Sequence, residues 1–261
     1  MTKLGFIGAG NMGSAIMKGI ANSSLDAEVY AYDKDAAKLA AVPAKPCSSE
    51  SELVSTCKYV LLAVKPQVLG SVLDTIKPSV TPDTVFISIC AGISEKFIRS
   101  RTIPDAKVVL VMPNTPMMLG MGASAISTDD RTTKEEFAFA KSVIESCGIA
   151  EIVPIDKMKE IICVNGSSPA FIYLFAKGFV DYAEANGIDG GAALRLFAAT
   201  LKGSAEMLTS SGMSVDKLIE QVSSPGGTTI AGLDKLYEGN LIDDVHAACE
   251  ACTRRAYELS Q

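Results

Sequence analysis

Short apolar runs alternate with amphipathic segments over the first 154 residues of the chain. The runs show no polar alternation, which is typical of strands in a parallel sheet covered on both faces. They predict strands at 4–7, 29–32, 59–64, 84–90, 107–112, 123–127 and 150–154. Intervening segments predict helices at 14–21, 35–41, 50–57, 68–76, 95–100 and 134–147, with a loop through Pro43 and Pro46. This alternation indicates an α/β fold built on a doubly wound sheet.

The strand pattern stops near residue 155, and helical spacing takes over. Helices are predicted at 157–165, from Ser168 onward, at 194–208, at 230–237 and at 241–259. Ser168 followed by Pro169 is typical of an N-cap and a first helical residue. The change predicts two domains, an α/β domain at 1–154 and an all-helical domain at 155–261. A helical domain of this size buries its faces poorly alone, so we expect it to form a homodimer.

The first strand, ending at Ile7, runs directly into a glycine-rich turn that opens a helix. The turn reads Gly8-Ala9-Gly10-Asn11-Met12-Gly13. In a G-x-G-x-x-G turn, the first glycine permits the tight bend, the second lets a pyrophosphate approach, and the third lets the helix pack closely. The helix N-terminus holds phosphates through free amide groups and its dipole. The pattern predicts a Rossmann-type dinucleotide site at 7–13, with a glycine turn used only for packing as the alternative.

Asp33 follows the second apolar run, twenty residues after Gly13. Rossmann units place an acid at this point, where it binds a ribose hydroxyl of the dinucleotide. The sequence therefore predicts that Asp33, with its neighbour Lys34, belongs to the cofactor site.

Composition excludes several classes of function. The chain has 261 residues, 48% of them hydrophobic, and a net charge of −6. Without a long run of Lys or Arg, this argues against a nucleic-acid partner. Residues 108–128 carry no charge, but prolines and glycines interrupt them, so they predict a buried strand and loops, and we expect no membrane partner. Because the first strand begins by residue 4, no secretory signal fits before it, and we expect a cytoplasmic protein.

Cysteine and histidine usage argues against metal and triad chemistry. Seven cysteines are an odd number, which does not fit a disulfide framework. Cys249 and Cys252 form a C-x-x-C in a helical pattern, but there is no second pair, and His246 is the only histidine. We therefore expect no metal site and no Ser-His or Cys-His triad.

Three loops that follow predicted strands combine small residues with proline or glycine. They are Ala63-Val64-Lys65-Pro66, Cys90-Ala91-Gly92 and Met112-Pro113-Asn114-Thr115-Pro116. Ligands of doubly wound sheets bind beyond the carboxyl ends of the strands, so together these loops outline a cofactor cleft. A proline that simply stops a strand is the alternative for any one of them.

A further segment precedes the predicted helix at 230–237. It reads Ser223-Ser224-Pro225-Gly226-Gly227-Thr228-Thr229. Its glycines leave amide groups open at a helix N-terminus, which suits a carboxylate, and one hydroxyl is placed to contact a reacting group. Capping of the helix by the threonines is the alternative.

These motifs together resemble the pyrroline-5-carboxylate reductase family over essentially the whole chain. The matching segments are 5–12, Ala63 to Pro66 (A-V-K-P), Met112 to Pro116 (M-P-N-T-P), 166–170 and 223–229. The resemblance implies a Rossmann domain followed by a helical dimerisation domain, with dimers assembled further into a ring, a decamer of five dimers. It implies reduction of 1-pyrroline-5-carboxylate to L-proline by hydride transfer from NADPH or NADH.

The resemblance also implies roles for the 223–229 segment. Ser224 and the amides around Gly226, Gly227 and Thr228 would bind the substrate carboxylate, while the Thr229 hydroxyl would contact the imine nitrogen. The chain departs from the family pattern at Ser168, Phe171 and Leu110, where glycine, tyrosine and arginine are usual.

Members of this family commonly prefer NADPH, whose 2′-phosphate the Asp33 carboxylate would repel. Lys34 partly offsets that repulsion, and we predict that NADH is used at least as well as NADPH. Two other functions remain open from the sequence. One is a β-hydroxyacid dehydrogenase, in which Lys177 and Asn186 would serve the chemistry. The other is a non-catalytic dinucleotide sensor or a pyridoxal-phosphate-type binding module.

Overall fold

A computed structural model describes residues 1–259 and divides the chain into two compact units. The first contains Met1–Ser167 together with the chain from Ala251 onward, and the second contains Ser168–Glu250. These units differ in extent from the domains at 1–154 and 155–261, and that division stays a prediction.

The first unit is built on one eight-stranded sheet. Its strands are β1 (Thr2–Ile7), β2 (Ala27–Tyr32), β3 (Lys45–Pro46), β4 (Tyr59–Leu62), β5 (Val85–Ser88), β6 (Lys107–Met112), β7 (Gly122–Thr128) and β8 (Gly148–Ile152). They lie in the order β3-β2-β1-β4-β5-β6-β7-β8. All neighbouring pairs are parallel except β6 and β7, which are antiparallel.

Two features of this sheet differ from the sequence prediction. Residues predicted as a loop through Pro46 form the short edge strand β3, where a residue without an amide hydrogen is tolerated. The sheet is also not wholly parallel, because β7 turns back on β6. Residues 113–121 are too few for a parallel crossover, which takes about a dozen residues or more.

Helices cover both faces of the sheet. They are α1 (Asn11–Ala21), α2 (Ala36–Ala40), α3 (Glu50–Thr56), α4 (Pro66–Ile76), α5 (Glu95–Arg101) and α6 (Lys134–Glu145). Leu4 and Phe6 of β1 pack with α1 and α6 on one face, whereas Ile7 packs with α3, α4 and α5 on the other. The predicted doubly wound α/β fold is confirmed, and the two cores fix the strands whose ends carry the predicted cofactor loops.

Side-chain caps explain where several of these helices begin. Ser49, Ser94 and Asp35 each accept a hydrogen bond from an amide in the first turn of the helix that follows. Thr133 and Glu136 form a reciprocal capping box at the start of α6. In contrast, the N-cap of α1 is Gly10, and no side chain caps this helix.

The second unit is helical. Its elements are α7 (Ser168–Ala185), α8 (Gly190–Ser210), α9 (Val215–Gln221), α10 (Thr228–Glu238) and the first half of α11 (Leu241–Leu259). Phe179 of α7 stacks on Phe197 of α8 with ring centroids 4.4 Å apart. The predicted all-helical region is confirmed, but many large apolar side chains of the unit are exposed.

Ser168 does not cap a new helix, so that expectation is wrong. A π-helical turn at Ile162–Ser167 runs without a break into α7. Pro169 has no amide hydrogen to donate to the preceding turn, and the wider π turn ahead of it accommodates this. The helix predicted at 157–165 is replaced by a 3-10 turn at Ile155–Lys157 and this π turn. Among residues 1–259, no helix is both long and apolar enough to cross a bilayer.

Candidate active site

The predicted cofactor residues meet at one edge of the sheet. The chain passes from β1 outward to β2 on one side, and then returns to β4 on the other side of β1. Such a reversal opens a crevice beyond the carboxyl ends of the strands. Gly8 follows β1, Asp33 follows β2, Ala63 follows β4, and Asn114 lies just beyond β6. The topology therefore gathers them at the point where doubly wound sheets bind ligands.

The glycine loop has the geometry that its sequence predicts. Gly8 has a φ of 106°, and a side chain there would meet the Ala63 carbonyl oxygen at 2.6 Å. A Cβ at Gly13 would lie 2.5 Å from the Gly8 carbonyl oxygen, so α1 packs too closely for any side chain. At Gly10, by contrast, a Cβ would meet nothing within 4 Å. Gly8 therefore serves the turn and Gly13 the packing of α1, whereas Gly10 faces open space.

That open space suits a pyrophosphate. Gly10 is the N-cap of α1 and no side chain caps the helix, so the amides of Asn11, Met12 and Gly13 have no intrahelical acceptor. An eleven-residue helix also presents the positive end of its dipole there. The residues present fit a dinucleotide, because the cradle has both the space and the donors that its phosphates require.

Asp33 is fixed beside this loop. Its Oδ2 accepts a hydrogen bond from the Ala9 amide at 2.8 Å, and its Oδ1 accepts one from the Asp35 amide at 2.9 Å. The sequence named Lys34 as the neighbouring cation, but Lys34 is exposed and makes no ion pair among the described residues. Lys38 of α2, which the sequence reasoning missed, approaches the Asp33 carboxylate instead.

The loop after β4 is braced by Cys90. The Cys90 thiol donates to the Val64 carbonyl oxygen at 3.2 Å and lies 3.4 Å from that of Leu62. Burial raises the pKa of this thiol to about 11, so it stays protonated and unreactive near neutral pH. The side chain supports the loop from below, whereas its neighbours Ala91 and Lys65 are exposed. Pro66 is the first residue of α4, so the proline that was considered as ending the preceding strand also begins a helix.

Two asparagines hold the end of β6. The Asn114 Oδ1 accepts the Ala123 amide at 2.9 Å, and the Asn165 side-chain amide donates to the carbonyl oxygens of Met112 at 2.6 Å and Ala123 at 2.9 Å. These side-chain hydrogen bonds hold the chain beyond Met112, where the backbone pairing of β6 with β7 ends. Asn165 lies in the π turn beside Gly166, where an added Cβ would lie 2.4 Å from the end of the Met112 side chain. Sequence reasoning missed Asn165, although it precedes the Gly166–Ala170 motif.

A cavity of about 430 Å³ opens beyond β5 and β6. Its lining includes Ser88, Cys90, Ile93, Leu110, Met112 and Tyr257. Leu110, where the family usually has arginine, thus contributes an apolar wall. At the rim, the Tyr257 hydroxyl donates to Glu160 at 3.0 Å. Cys90, Ala91 and Gly92, which form one of the loops predicted for the cofactor cleft, are among the lining residues of this cavity.

The 223–229 segment belongs to the second unit and forms a turn followed by a helix. The Gly227 amide donates to the Ser224 carbonyl oxygen at 2.9 Å, and Gly226 has a φ of 70°. Proline and then glycine at these central positions define a type II turn. Helix α10 begins at Thr228 with Gly227 as its N-cap and no side-chain cap. The alternative of capping by the threonines is therefore wrong, because both lie inside the helix.

This geometry leaves donors in the first turn of α10. The amides of Thr228 and Thr229 have no intrahelical acceptor, whereas the Gly227 amide is used in the turn. The side chains of Ser224 and Thr229 are exposed. An eleven-residue helix with an uncapped, exposed N-terminus is suited to bind an anion.

The residues of the dehydrogenase alternative are not arranged for catalysis. Lys177 is exposed and pairs with Asp181 on the same helix, and the Asn186 side chain donates to the Tyr182 carbonyl oxygen at 2.8 Å. Asn186 lies just beyond the end of α7 at Ala185, and the eight residues from Lys177 to that end already span about 12 Å along the helix axis. Lys177 and Asn186 cannot act on one small substrate.

The sheet order, the glycine loop and the acid at the end of β2 define a Rossmann-type dinucleotide-binding protein. Residues 3–92 match the model of coenzyme F420-dependent NADP oxidoreductases, and residues 156–259 match the model of pyrroline-5-carboxylate reductase dimerisation. Pyrroline-5-carboxylate reductase 3 of Bos taurus is 33% identical over 99% of this chain and 86% of its own length. Pyrroline-5-carboxylate reductase of Escherichia coli K12 is 30% identical over 99% of this chain and 98% of its own length.

A solved structure agrees with these relatives. The Plasmodium falciparum pyrroline carboxylate reductase, solved with NADP bound, is 32% identical over the whole of both chains, with a TM-score of 0.88. The chain belongs to the pyrroline-5-carboxylate reductase family. It is an NAD(P)H-dependent oxidoreductase, as its sequence predicts, and the match to the dimerisation model supports a homo-oligomer.

Proposed function

We propose that this chain reduces 1-pyrroline-5-carboxylate to L-proline, the last step of proline biosynthesis, and that the N-terminus of α10 holds the substrate carboxylate. The observation that carries this proposal is the uncapped first turn of α10 behind a rigid type II turn. A carboxylate accepts hydrogen bonds from such amides and is favoured by the helix dipole. Gly226 and Gly227 shape the turn, and the amides of Thr228 and Thr229 are the donors.

Ser224 and Thr229 supply the hydroxyls of the proposed substrate site. The Ser224 hydroxyl donates to the carboxylate, and the Thr229 hydroxyl orients the imine nitrogen. A protonated cyclic imine is already electrophilic at carbon, so the site needs no strong acid. This accounts for a reductase whose single histidine, His246, takes no part in the reaction.

The proposed cofactor residues are those at the carboxyl edge of the sheet. The amides of the α1 N-terminus hold the pyrophosphate, Asp33 faces the adenosine ribose, and the loops at 63–66, 90–91 and Asn114 border the remainder. The nicotinamide, when bound, supplies the hydride. The protein contributes orientation, because an aligned donor and acceptor avoid much of the entropy cost of a bimolecular step. With Asp33 fixed by two backbone amides, we expect NADH to serve at least as well as NADPH.

The proposed assembly is a homodimer formed through the helical unit, and dimers associate further into a decamer. An apolar groove of about 770 Å³ runs along this unit. Phe171, Leu174, Phe175, Leu201 and Leu236 are among its lining residues. Leu174 is 70% exposed in one protomer. A second copy of the chain is the occupant that the dimerisation domain favours. We further propose that the enzyme acts in the cytoplasm.

The test of the proposed reaction follows reduced-nicotinamide absorbance with 1-pyrroline-5-carboxylate as substrate. The wild type should oxidise NADH and NADPH and form proline. Thr229→Ala should lower kcat at least tenfold while the cofactor Kd stays within about twofold, since the hydroxyl touches only the imine. Thr209→Ala, an exposed threonine of α8, serves as the matched control. Unchanged turnover of Thr229→Ala would remove Thr229 from the mechanism, and oxidation of 3-hydroxy acids without imine reduction would replace the proposed substrate.

A further inference from the structure

The charge environment of Asp33 is set by a lysine from the next helix. Lys38 Nζ lies 4.0 Å from Asp33 Oδ1 and 3.9 Å from Asp35 Oδ2. The Asp33 side chain is only 14% exposed, whereas that of Lys38 is 50% exposed. The carboxylate is therefore part of the wall of the site, and the ammonium group stands at its open rim.

This placement has opposite consequences for the two cofactors. NADH presents a 2′-hydroxyl, which donates to a fixed carboxylate without needing a cation. NADPH presents a 2′-phosphate with a charge of about −1.5 to −2, as phosphate monoesters carry near neutral pH. Asp33 repels that phosphate, and its position is held by the Ala9 and Asp35 amides, so it cannot simply turn away. Acceptance of NADPH then requires a cation close to the carboxylate.

We propose that Lys38 is the specificity-determining residue that admits the 2′-phosphate of NADPH, so that the Asp33–Lys38 pair lets one site accept both cofactors. Lys38 satisfies three requirements: its ammonium group is next to the carboxylate, its side chain is exposed enough to move, and its ion pairs with Asp33 and Asp35 are long, at 4.0 and 3.9 Å. Both of its partners are carboxylates that a phosphate can replace. Lys34 is adjacent to Asp33 in sequence but not paired with it among the described residues.

This inference rests on the NAD(P)H use of the family and not on the proposed substrate. It predicts that Lys38→Met weakens NADPH binding about five- to tenfold, the effect expected for one partly exposed charged hydrogen bond. NADH binding should change less than twofold. The loss should shrink at high ionic strength, because salt screens an exposed charge pair.

The test measures equilibrium Kd values of NADH and NADPH by reduced-nicotinamide fluorescence, without imine present. Lys38→Met is compared with Lys34→Met and with Lys18→Met, an exposed control on α1, and thermal unfolding verifies that all are folded. A selective loss of NADPH affinity in Lys38→Met alone supports the proposal. Equal Kd changes for both cofactors, an unchanged NADPH Kd, or a selective loss in Lys34→Met instead would each overturn it. Because no imine is used, failure of the proposed substrate leaves this result standing.

Discussion

Glu136 offers a quantitative test of how the Rossmann unit is held together. Glu136 is 4% exposed, and its Oε1 lies 2.8 Å from Lys107 Nζ and 2.9 Å from Lys58 Nζ. It thereby joins α6 to β6 and to the residue just before β4. Burial raises the pKa of this carboxyl, but hydrogen bonds from Lys107 and Lys58 outweigh it and lower the pKa to about 2. The charged form is therefore the form that stabilises the fold.

The magnitude follows from linkage between protonation and folding. A carboxyl whose pKa falls from 4.5 to about 2 contributes about 3 kcal/mol to the free energy of unfolding at neutral pH. Lys58 is 47% exposed, so solvent screening reduces this to about 2–3 kcal/mol. Because the folded pKa is depressed, the stabilisation is complete above pH 4.5 and is lost as the pH falls toward 2. For a chain of this length it corresponds to roughly 4–6 °C in Tm.

The assay compares thermal unfolding of the wild type and Glu136→Gln at pH 7 and at pH 3.5. Glutamine can still complete the capping box, so the substitution removes mainly the charge. The Tm of Glu136→Gln should lie roughly 4–6 °C below that of the wild type at pH 7. This difference in Tm should narrow by about half or more at pH 3.5. Glu135→Gln, one residue earlier and without a lysine partner among the described residues, should change Tm by less than about 2 °C at either pH. A gap that is equal at both pH values, or absent at pH 7, would refute the assignment.

Three further predictions concern the site and the assembly. Gly10→Val should raise the Kd of NADH and NADPH at least tenfold with little change in Tm. Gly13→Ala should lower Tm, because a Cβ at Gly13 meets backbone in the protein whereas one at Gly10 does not. The reverse pattern would contradict the assigned glycine roles. Asn165→Asp should lower kcat/KM several-fold, because an oxygen would then face the two carbonyl oxygens that now accept hydrogen bonds. Kinetics equal to wild type would show that Asn165 does not position the chain that follows β6. Leu174→Glu should shift the mass measured by light scattering toward the monomer, and an unchanged mass would exclude the groove as the interface.

Local sequence patterns were sufficient for the elements of the Rossmann unit up to β6, apart from the short edge strand β3. Capping serines, the glycine loop and unbroken apolar runs each predict an element by themselves, and the elements agree. The direction of β7 could not be predicted in the same way, because it depends on the length of the 113–121 connection rather than on the residues of the strand. Ser168-Pro169 misled for a related reason, since a helix start and a π-to-α transition both suit a proline.

The site shows the same division between local and distant information. Gly8, Gly10 and Gly13 have the predicted geometry because their roles depend on the turn itself. Lys38 and Asn165 were missed because their partners lie in other elements, at Asp33 and at the end of β6. Tertiary packing decides which side chains of different elements contact each other, and the local sequence pattern does not contain that information.

The central claim is that this chain reduces a cyclic imine carboxylate through the α10 N-terminus and the Thr229 hydroxyl. The most direct measurement is the steady-state rate of NAD(P)H oxidation with 1-pyrroline-5-carboxylate, for wild type and Thr229→Ala, beside the cofactor Kd of each. We predict proline formation by the wild type, and a fall in kcat of at least tenfold in the variant at unchanged cofactor Kd. Wild-type protein that binds the cofactor but leaves the imine unreduced would contradict the account.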